Sequence, residues 1–159
     1  EKMKPAGYRD LQPEDIPEVQ LEGGRLKLIA GDIAIDGVNR TGAVSGGSTR
    51  PLYIDIQLEP ESAVSLPVDE ELDGLLYLYE GSAGLRHGEH PAALTPSAAS
   101  ILASGNEIRL EAGRDGARLL LIAGKPINEP VVQYGPFVMN SHAEIEQTLQ
   151  DYRDGRLTA

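Results

Sequence analysis

Three histidines are the side chains of this sequence best suited to bind a transition metal. His87 and His90 flank Glu89 in the run RHGEHP, and imidazole and carboxylate groups are ligands of Fe, Ni, Cu and Mn. On a strand, His87 and His90 would point to opposite faces, so they could converge only within a turn. We predict a solvated hairpin turn here, with adventitious metal binding as the alternative. His142, in the first turn of a predicted helix, is expected at the surface.

Neighbouring carboxylates are the second group that could do chemistry, because paired acids transfer protons when their pKa values are pushed apart. Glu14 and Asp15, Glu59 and Glu61, and residues 69–71 all lie in turn-like, proline-flanked stretches, which predicts solvated charge. The absence of cysteine excludes disulfides and thiolate chemistry. No nucleophile elbow, Walker loop, dinucleotide fingerprint or His-Glu-x-x-His motif occurs. The residues alone therefore predict no catalytic site.

The composition argues against several classes of function. A net charge of −11 and a pI near 4.6 oppose direct binding of nucleic acid, whose phosphates this surface would repel. No apolar run approaches the roughly 20 residues that span a bilayer, and no signal-peptide pattern opens the sequence. A chain without cysteine fits a reducing compartment, so we expect a cytoplasmic protein. Its first residue, Glu1, is not methionine, which favours a piece of a longer protein.

Short strands separated by Gly-rich turns predict an all-β domain as the scaffold. The clearest strand is Leu52–Leu58, in which every second residue is apolar, and residues 75–79 predict a second one. Weaker patterns predict strands at 26–30, 33–35, 83–86, 98–103, 107–110 and 118–123. Residues 36–50, rich in Gly, Ser and Thr, predict a loop. This pattern alone fits either a jelly roll or a sandwich.

The stretch 124–140 combines three prolines with seven apolar side chains. Proline excludes a helix and removes ladder donors, so we predict an extended segment that lies against an apolar surface. That surface could belong to its own domain, which the segment would then close, or to a partner. Helical periodicity follows, since Ser141 and Glu144 form a capping-box pattern. An apolar stripe then recurs at i, i+4 and i+7, at Ile145, Leu149 and Tyr152.

The run AGKPINEPVVQYGPFVMN, followed by SHAEIEQTLQDYRDGRL, resembles the C-terminal signature of the pirin family. Pirins are bicupins, with two β-barrel domains in tandem, and several resemble quercetin 2,3-dioxygenases. The opening run YRDLQPEDIPEV resembles the family's linker into its second domain. The resemblance therefore implies a linker at 1–20, a cupin-type jelly-roll β-barrel at 21–124, and a Pro-rich segment with one C-terminal α-helix at 125–159.

The same resemblance bears on the metal. Catalytic cupins bind it through a His-x-His pair and a later His and Glu, and in pirins the pair precedes a strand ending Tyr-x-x-Glu-Gly. Here that strand end is Tyr77 to Gly81, and an ungapped count puts Pro67 and Asp69 at the two histidine positions. Residues 106–112 contain no histidine for the later pair. The resemblance thus implies a metal-free second domain, with Fe or another divalent transition metal in an absent N-terminal half.

Two functions follow from the resemblance. In the first, this chain supports a metal-binding N-terminal cupin with quercetin 2,3-dioxygenase-type activity. The contact residues we predict for it are Val131, Tyr134, Phe137 and Met139. The partner would be that N-terminal half or a second copy of the chain. In the alternative, the chain is a protein-interaction or regulatory module without catalysis; a single-barrel enzyme with a non-standard site is a third, minor reading.

Overall fold

The computed structural model describes residues 7–87 and 90–157, with the backbone alone at 87, 90 and 91. Strands dominate this part of the chain. Their bounds are β1 Glu18–Leu21, β2 Gly24–Ala30, β3 Asp32–Ile35, β4 Val38–Thr41, β5 Leu52–Leu58, β6 Ala63–Pro67, β7 Asp73–His87, β8 His90–Ala93, β9 Ala99–Ile101, β10 Glu107–Gly124, β11 Val132–Tyr134 and β12 Phe137–Met139. A 3-10 turn at Pro13–Asp15 precedes them, and helix α1, His142–Arg153, follows them.

Eight strands form one antiparallel sheet in the order β1-β2-β5-β10-β7-β8, with β6 also paired to β10 and β9 to β7. Two further hairpins, β3–β4 and β11–β12, pair separately. The predicted β class with one C-terminal helix is confirmed. The strand pairing of the described residues leaves the sheet open between β1 and β8, so closure into a jelly-roll barrel stays a prediction.

Alternation along the strands builds the core. On β2 and β5 every second residue is buried while its neighbours are half-buried, which is the period-2 pattern of a sheet with one face inward. The most deeply buried side chains come from five strands: Leu26, Leu28, Ile54, Ile56, Leu66, Leu76, Leu78, Leu110, Leu119 and Leu121. The strand predicted at Leu52–Leu58 is confirmed residue for residue.

Strands β7 and β10 are longer than predicted. The sequence predicted that a strand ends near Gly81 and that another ends before Gly116. In the structure β7 continues past Gly81 and β10 past Gly116, and the pairing of the two strands shifts register there. Both glycines have positive φ, +77° and +75°, and a Cβ on Gly81 would lie 2.2 Å from the Gly116 carbonyl oxygen. Glycine here permits a bulge in a paired strand rather than a chain reversal. The predicted loop at 36–50 also contains a strand, β4.

The chain divides into two compact units, one ending at Pro126 and one comprising Ile127–Ala159. We call residues 127–159 the C-terminal arm. The predicted boundary between the barrel and the Pro-rich segment, after residue 124, lies two residues before the end of the first unit. The predicted linker at 1–20 includes the start of β1. Among the described helices, none has the length and apolarity to cross a bilayer.

Helix α1 of the arm begins where the sequence predicted. The Ser141 hydroxyl accepts from the Glu144 amide, and the Glu144 carboxylate accepts from the Ser141 amide, which completes a capping box. Gly155 follows the helix with φ +67°. Ile145 is buried as its stripe predicts, whereas Tyr152 is largely exposed.

Candidate functional site

The ungapped count places the family's first histidine pair at Pro67 and Asp69, and the second of these positions takes part in an ion network. Pro67 ends β6, and Asp69 lies in the turn that follows it. The Arg50 guanidinium, just before β5, donates to Asp69 and to Glu71 Oε2, the latter at 3.2 Å. The Lys125 ammonium, just after β10, lies 3.4 Å from the same Glu71 oxygen. Four side chains from three segments thus meet as two cations and two carboxylates.

This network fixes the protonation of Asp69. The Glu71 amide donates to Asp69 Oδ1 at 2.9 Å, and Arg50 donates to Asp69 Oδ2. The amide, and after it the guanidinium, lower the pKa of Asp69 below its ordinary value because both favour the charged form. The hydrogen bond to the Asp69 carboxylate and its negative charge in turn raise the pKa of Arg50. Asp69 is therefore a permanently charged ion-pair partner rather than a proton donor at neutral pH.

The residues around Asp69 do not fit a cupin metal. The network presents two cations to the carboxylates, and a divalent ion placed there would be repelled by both. The stretch 106–112, which contains no histidine, overlaps the start of β10, where the Glu107 carboxylate is paired with Arg109 and the Glu111 carboxylate with Arg86. Within 7–86 and 92–157, no three side chains of the ligand types converge on one point.

A cavity of about 310 Å³ lies beside the network. Its lining mixes apolar and charged groups: Gly31, Asp32, Gly46, Arg50, Pro51, Leu52, Pro67, Val68, Asp69 and Leu72. Arg50 has a positive φ of +45°, a left-handed conformation that non-glycine residues adopt rarely. Sequence reasoning missed Arg50 as a partner of Asp69, since nothing local relates the two.

The backbone at His87 and His90 forms the predicted hairpin, in which the two residues are paired across β7 and β8. Their side chains, and Glu89 between them, lie outside the described residues, so adventitious metal binding stays a prediction. His142 is the first residue of α1 and is exposed.

A polar site on the outward face of the sheet was also missed. The Tyr79 hydroxyl on β7 donates to Asp55 Oδ1 on β5 at 2.7 Å, beside a small cavity of about 110 Å³. Partial burial, and then the bond to the Asp55 carboxylate, raise the pKa of Tyr79 to about 12 because both disfavour the phenolate. Tyr79 therefore stays protonated at physiological pH and acts as a donor.

The four predicted contact residues lie in or beside the β11–β12 hairpin of the arm. Val131 and Tyr134 are 75% and 62% exposed. Phe137 is half-buried, and its ring packs at a tilt on Tyr152 of α1, with 5.8 Å between the ring centroids. Met139, also half-buried, pairs with Val132 across the hairpin. The first pair is thus available to a partner, while Phe137 contributes to the arm's own packing.

The arm is held together by polar contacts around Asn140. Its side-chain amide donates to Glu129 Oε2 at 3.0 Å and to the Pro130 carbonyl at 2.8 Å. Its backbone amide donates to Glu144 Oε2 at 2.8 Å. One residue therefore ties the proline-rich segment to the start of the helix.

Large apolar side chains are unusually exposed in the arm. Its described residues expose six of them: Ile127, Val131, Tyr134, Val138, Tyr152 and Leu157. A unit this short cannot build a core that covers them, because chains below about 40 residues bury too little surface. Such a surface indicates a contact that the arm's own fold does not supply.

The family model described as the pirin C-terminal cupin domain matches residues 53–158. A Pseudomonas aeruginosa protein provisionally named a quercetin 2,3-dioxygenase is 44% identical over 157 residues, which cover 98% of this chain and 54% of that protein. Human pirin is 31% identical over 160 residues, covering 98% of this chain and 52% of pirin.

Among solved structures, a crystal structure of quercetin 2,3-dioxygenase from Acinetobacter baumannii superposes with a TM-score of 0.79 and 30% identity. The match covers 99% of this chain and 53% of that one. The chain thus spans about half the length of the relatives it matches. With two thirds of its residues inside the family model, it belongs to the pirin C-terminal cupin domain family.

Proposed function

We propose that this chain is the metal-free, supporting cupin domain of a two-domain pirin-like protein with quercetin 2,3-dioxygenase-type activity. The other domain would hold iron or another divalent transition metal and carry out the chemistry. The C-terminal arm would pack against that domain through Val131, Tyr134, Phe137 and Met139 and brace it.

The observation that carries this proposal is the exposed apolar surface of the arm. Burying a Val or Tyr side chain stabilises a contact by a few kcal/mol, so Val131 and Tyr134 are suited to anchor a partner. Within the arm, Asn140 already ties the proline-rich segment to the start of the helix, so less ordering entropy is lost in that segment on docking.

The ion network supports the metal-free part of the proposal. Asp69 is occupied by a guanidinium and a backbone amide, and Glu71 by two cations. Neither carboxylate is free to enter a coordination sphere without losing these partners. The lengths of the relatives agree with a second domain, because each has a further portion of similar size that this chain does not match.

Metal analysis and turnover test the proposal together. The 159-residue chain would be compared with a longer protein, in which its N-terminus is joined to the portion of the Pseudomonas aeruginosa relative that it does not match. We expect stoichiometric metal and quercetin turnover in the longer protein alone. Stoichiometric metal or turnover in the 159-residue chain would contradict it. A longer protein that binds no metal and turns over no quercetin would instead favour the interaction or regulatory module without catalysis.

A further inference from the structure

The outward face of the main sheet carries large apolar side chains in register. Ile122 on β10 pairs with Tyr53 on β5 and with Leu75 on β7, and Leu75 pairs in turn with Ile101 on β9. One step along the strands, Leu120 pairs with Tyr77. We call these residues the sheet band: Tyr53, Leu75, Tyr77, Ile101, Leu120 and Ile122.

The sheet band faces away from the core. Its β7 and β10 members alternate with side chains that are 1% exposed or less, such as Leu76 and Leu121, so they point to the opposite face. Ile101 is 76% exposed and Ile122 39%, while the other four members, Tyr53, Leu75, Tyr77 and Leu120, are half-buried. An antiparallel sheet with one solvated face normally carries polar residues there. A contiguous band across four strands, about 14 Å wide, instead marks a contact surface.

The polar end of the same face is charge-balanced. Its ion pairs join Glu18 to Arg25 and Lys27, and Arg118 to Glu80, while Asp55 accepts from Tyr79. A partner that covers the sheet band therefore meets neighbouring charges that are already paired, which limits the desolvation cost of docking. Such a face suits an uncharged apolar surface rather than a strongly charged one.

We propose that the sheet band is the surface on which the other β domain of the two-domain protein packs, sheet against sheet. This rests on the proposed function and adds to it a second contact, distinct from that of the C-terminal arm. Two apolar sheet faces interdigitate at about 10 Å, which is the arrangement this band fits. A second copy of the chain suits it less well, because two net charges of −11 would be brought together.

Thiol labelling tests the band directly, because the chain has no cysteine of its own. Ile101→Cys would report on the band, Val131→Cys on the arm, and Val38→Cys, 49% exposed on β4, would serve as the control. Each would be placed in the 159-residue chain and in the longer protein, with cysteines of the added portion replaced by serine. The rate of reaction with iodoacetamide is the measurement.

We expect Ile101→Cys to react about tenfold or more slowly in the longer protein than in the 159-residue chain, and Val38→Cys to react equally in both. Equal rates for Ile101→Cys in both proteins would overturn the band contact. If Ile101→Cys reacts equally in both proteins but Val131→Cys reacts more slowly in the longer one, the band contact fails and the proposed function survives. If Ile101→Cys alone reacts more slowly in the longer protein, the arm contact fails instead. Protection of Ile101→Cys in the 159-residue chain that grows with concentration would assign the band to a second copy and refute the proposed occupant.

Discussion

Removing the apolar side chains of the arm should matter only when a second domain is present. The perturbation is the double substitution Val131→Ala and Tyr134→Ala, made in the 159-residue chain and in the longer protein. In the shorter chain both side chains are mostly in water, 75% and 62% exposed, so their loss should change the free energy of unfolding by less than about 0.5 kcal/mol.

In the longer protein, the expected decrease in the free energy of unfolding follows from the side-chain area of Val131 and Tyr134 that is exposed in this chain and would be buried on docking. Val131→Ala removes two carbons at about 0.8 kcal/mol each, and three quarters of that, about 1.2 kcal/mol, remains to be gained on docking. A tyrosine buries about 150 Å² or more, about 4 kcal/mol in full, of which roughly 2.4 kcal/mol remains for Tyr134. The double variant should therefore lose about 3 to 4 kcal/mol as an upper bound.

Urea unfolding followed by circular dichroism measures both values. Val38→Ala, an exposed valine on β4 outside the arm, is the matched control and should be neutral in both proteins. Equal, small effects of the double substitution in both proteins would refute docking by the arm. A large loss in the 159-residue chain itself would mean that these side chains pack within their own domain.

Three further predictions concern polar groups. Asp69→Asn should lower the thermal midpoint at neutral pH but progressively less in acid, because a carboxylate with a lowered pKa stabilises the fold above its unfolded pKa of about 3.9 and loses that effect as pH falls through its folded pKa; a difference constant with pH would contradict this. In an absorbance titration, Tyr79→Phe should remove the tyrosine that ionises near pH 12. Asp55→Asn should move that ionisation towards pH 10, because it removes the hydrogen bond from Tyr79 to the carboxylate. An unchanged alkaline titration in both variants would argue against this hydrogen bond. Ser141→Ala should destabilise α1 by about 1 kcal/mol, which would appear as faster amide hydrogen exchange in the first turn of the helix. His142→Ala, the control, should leave that exchange unchanged. Equal exchange rates in the two variants would show that the capping box contributes little.

The fold was predictable wherever local pattern and tertiary environment agree. Leu52–Leu58 alternates cleanly because one of its faces is buried, and the Ser141 capping box needs only residues within one turn. The short strands β6 and β8 were missed because their pairing partners, on β10 and β7, supply most of their definition. The breaks expected near Gly81 and Gly116 were wrong, because a bulge and a turn use the same glycine conformation.

The candidate site was harder to predict than the fold. The family resemblance was confirmed because its phrase is contiguous in the sequence. The partners of Asp69 and Glu71 are not contiguous, since Arg50 lies 19 residues before Asp69 and Lys125 lies 54 residues after Glu71. Only the tertiary fold, which places the start of β5, the turn after β6 and the end of β10 next to one another, brings them together. The sheet band is likewise a property of register between strands, which no single segment contains.

The residues that hold the fold and those proposed to hold a partner are separate sets. The core is built from inward-facing positions such as Leu76, Leu119 and Leu121, and none of them reaches the arm surface or the sheet band. At the position where the ungapped count places the family's first histidine pair, Asp69 takes part in an ion network with Arg50, Glu71 and Lys125. Under the proposed function, the domain needs a surface that matches the other domain, and Val131, Tyr134 and Ile101 are exposed apolar side chains that fit that requirement.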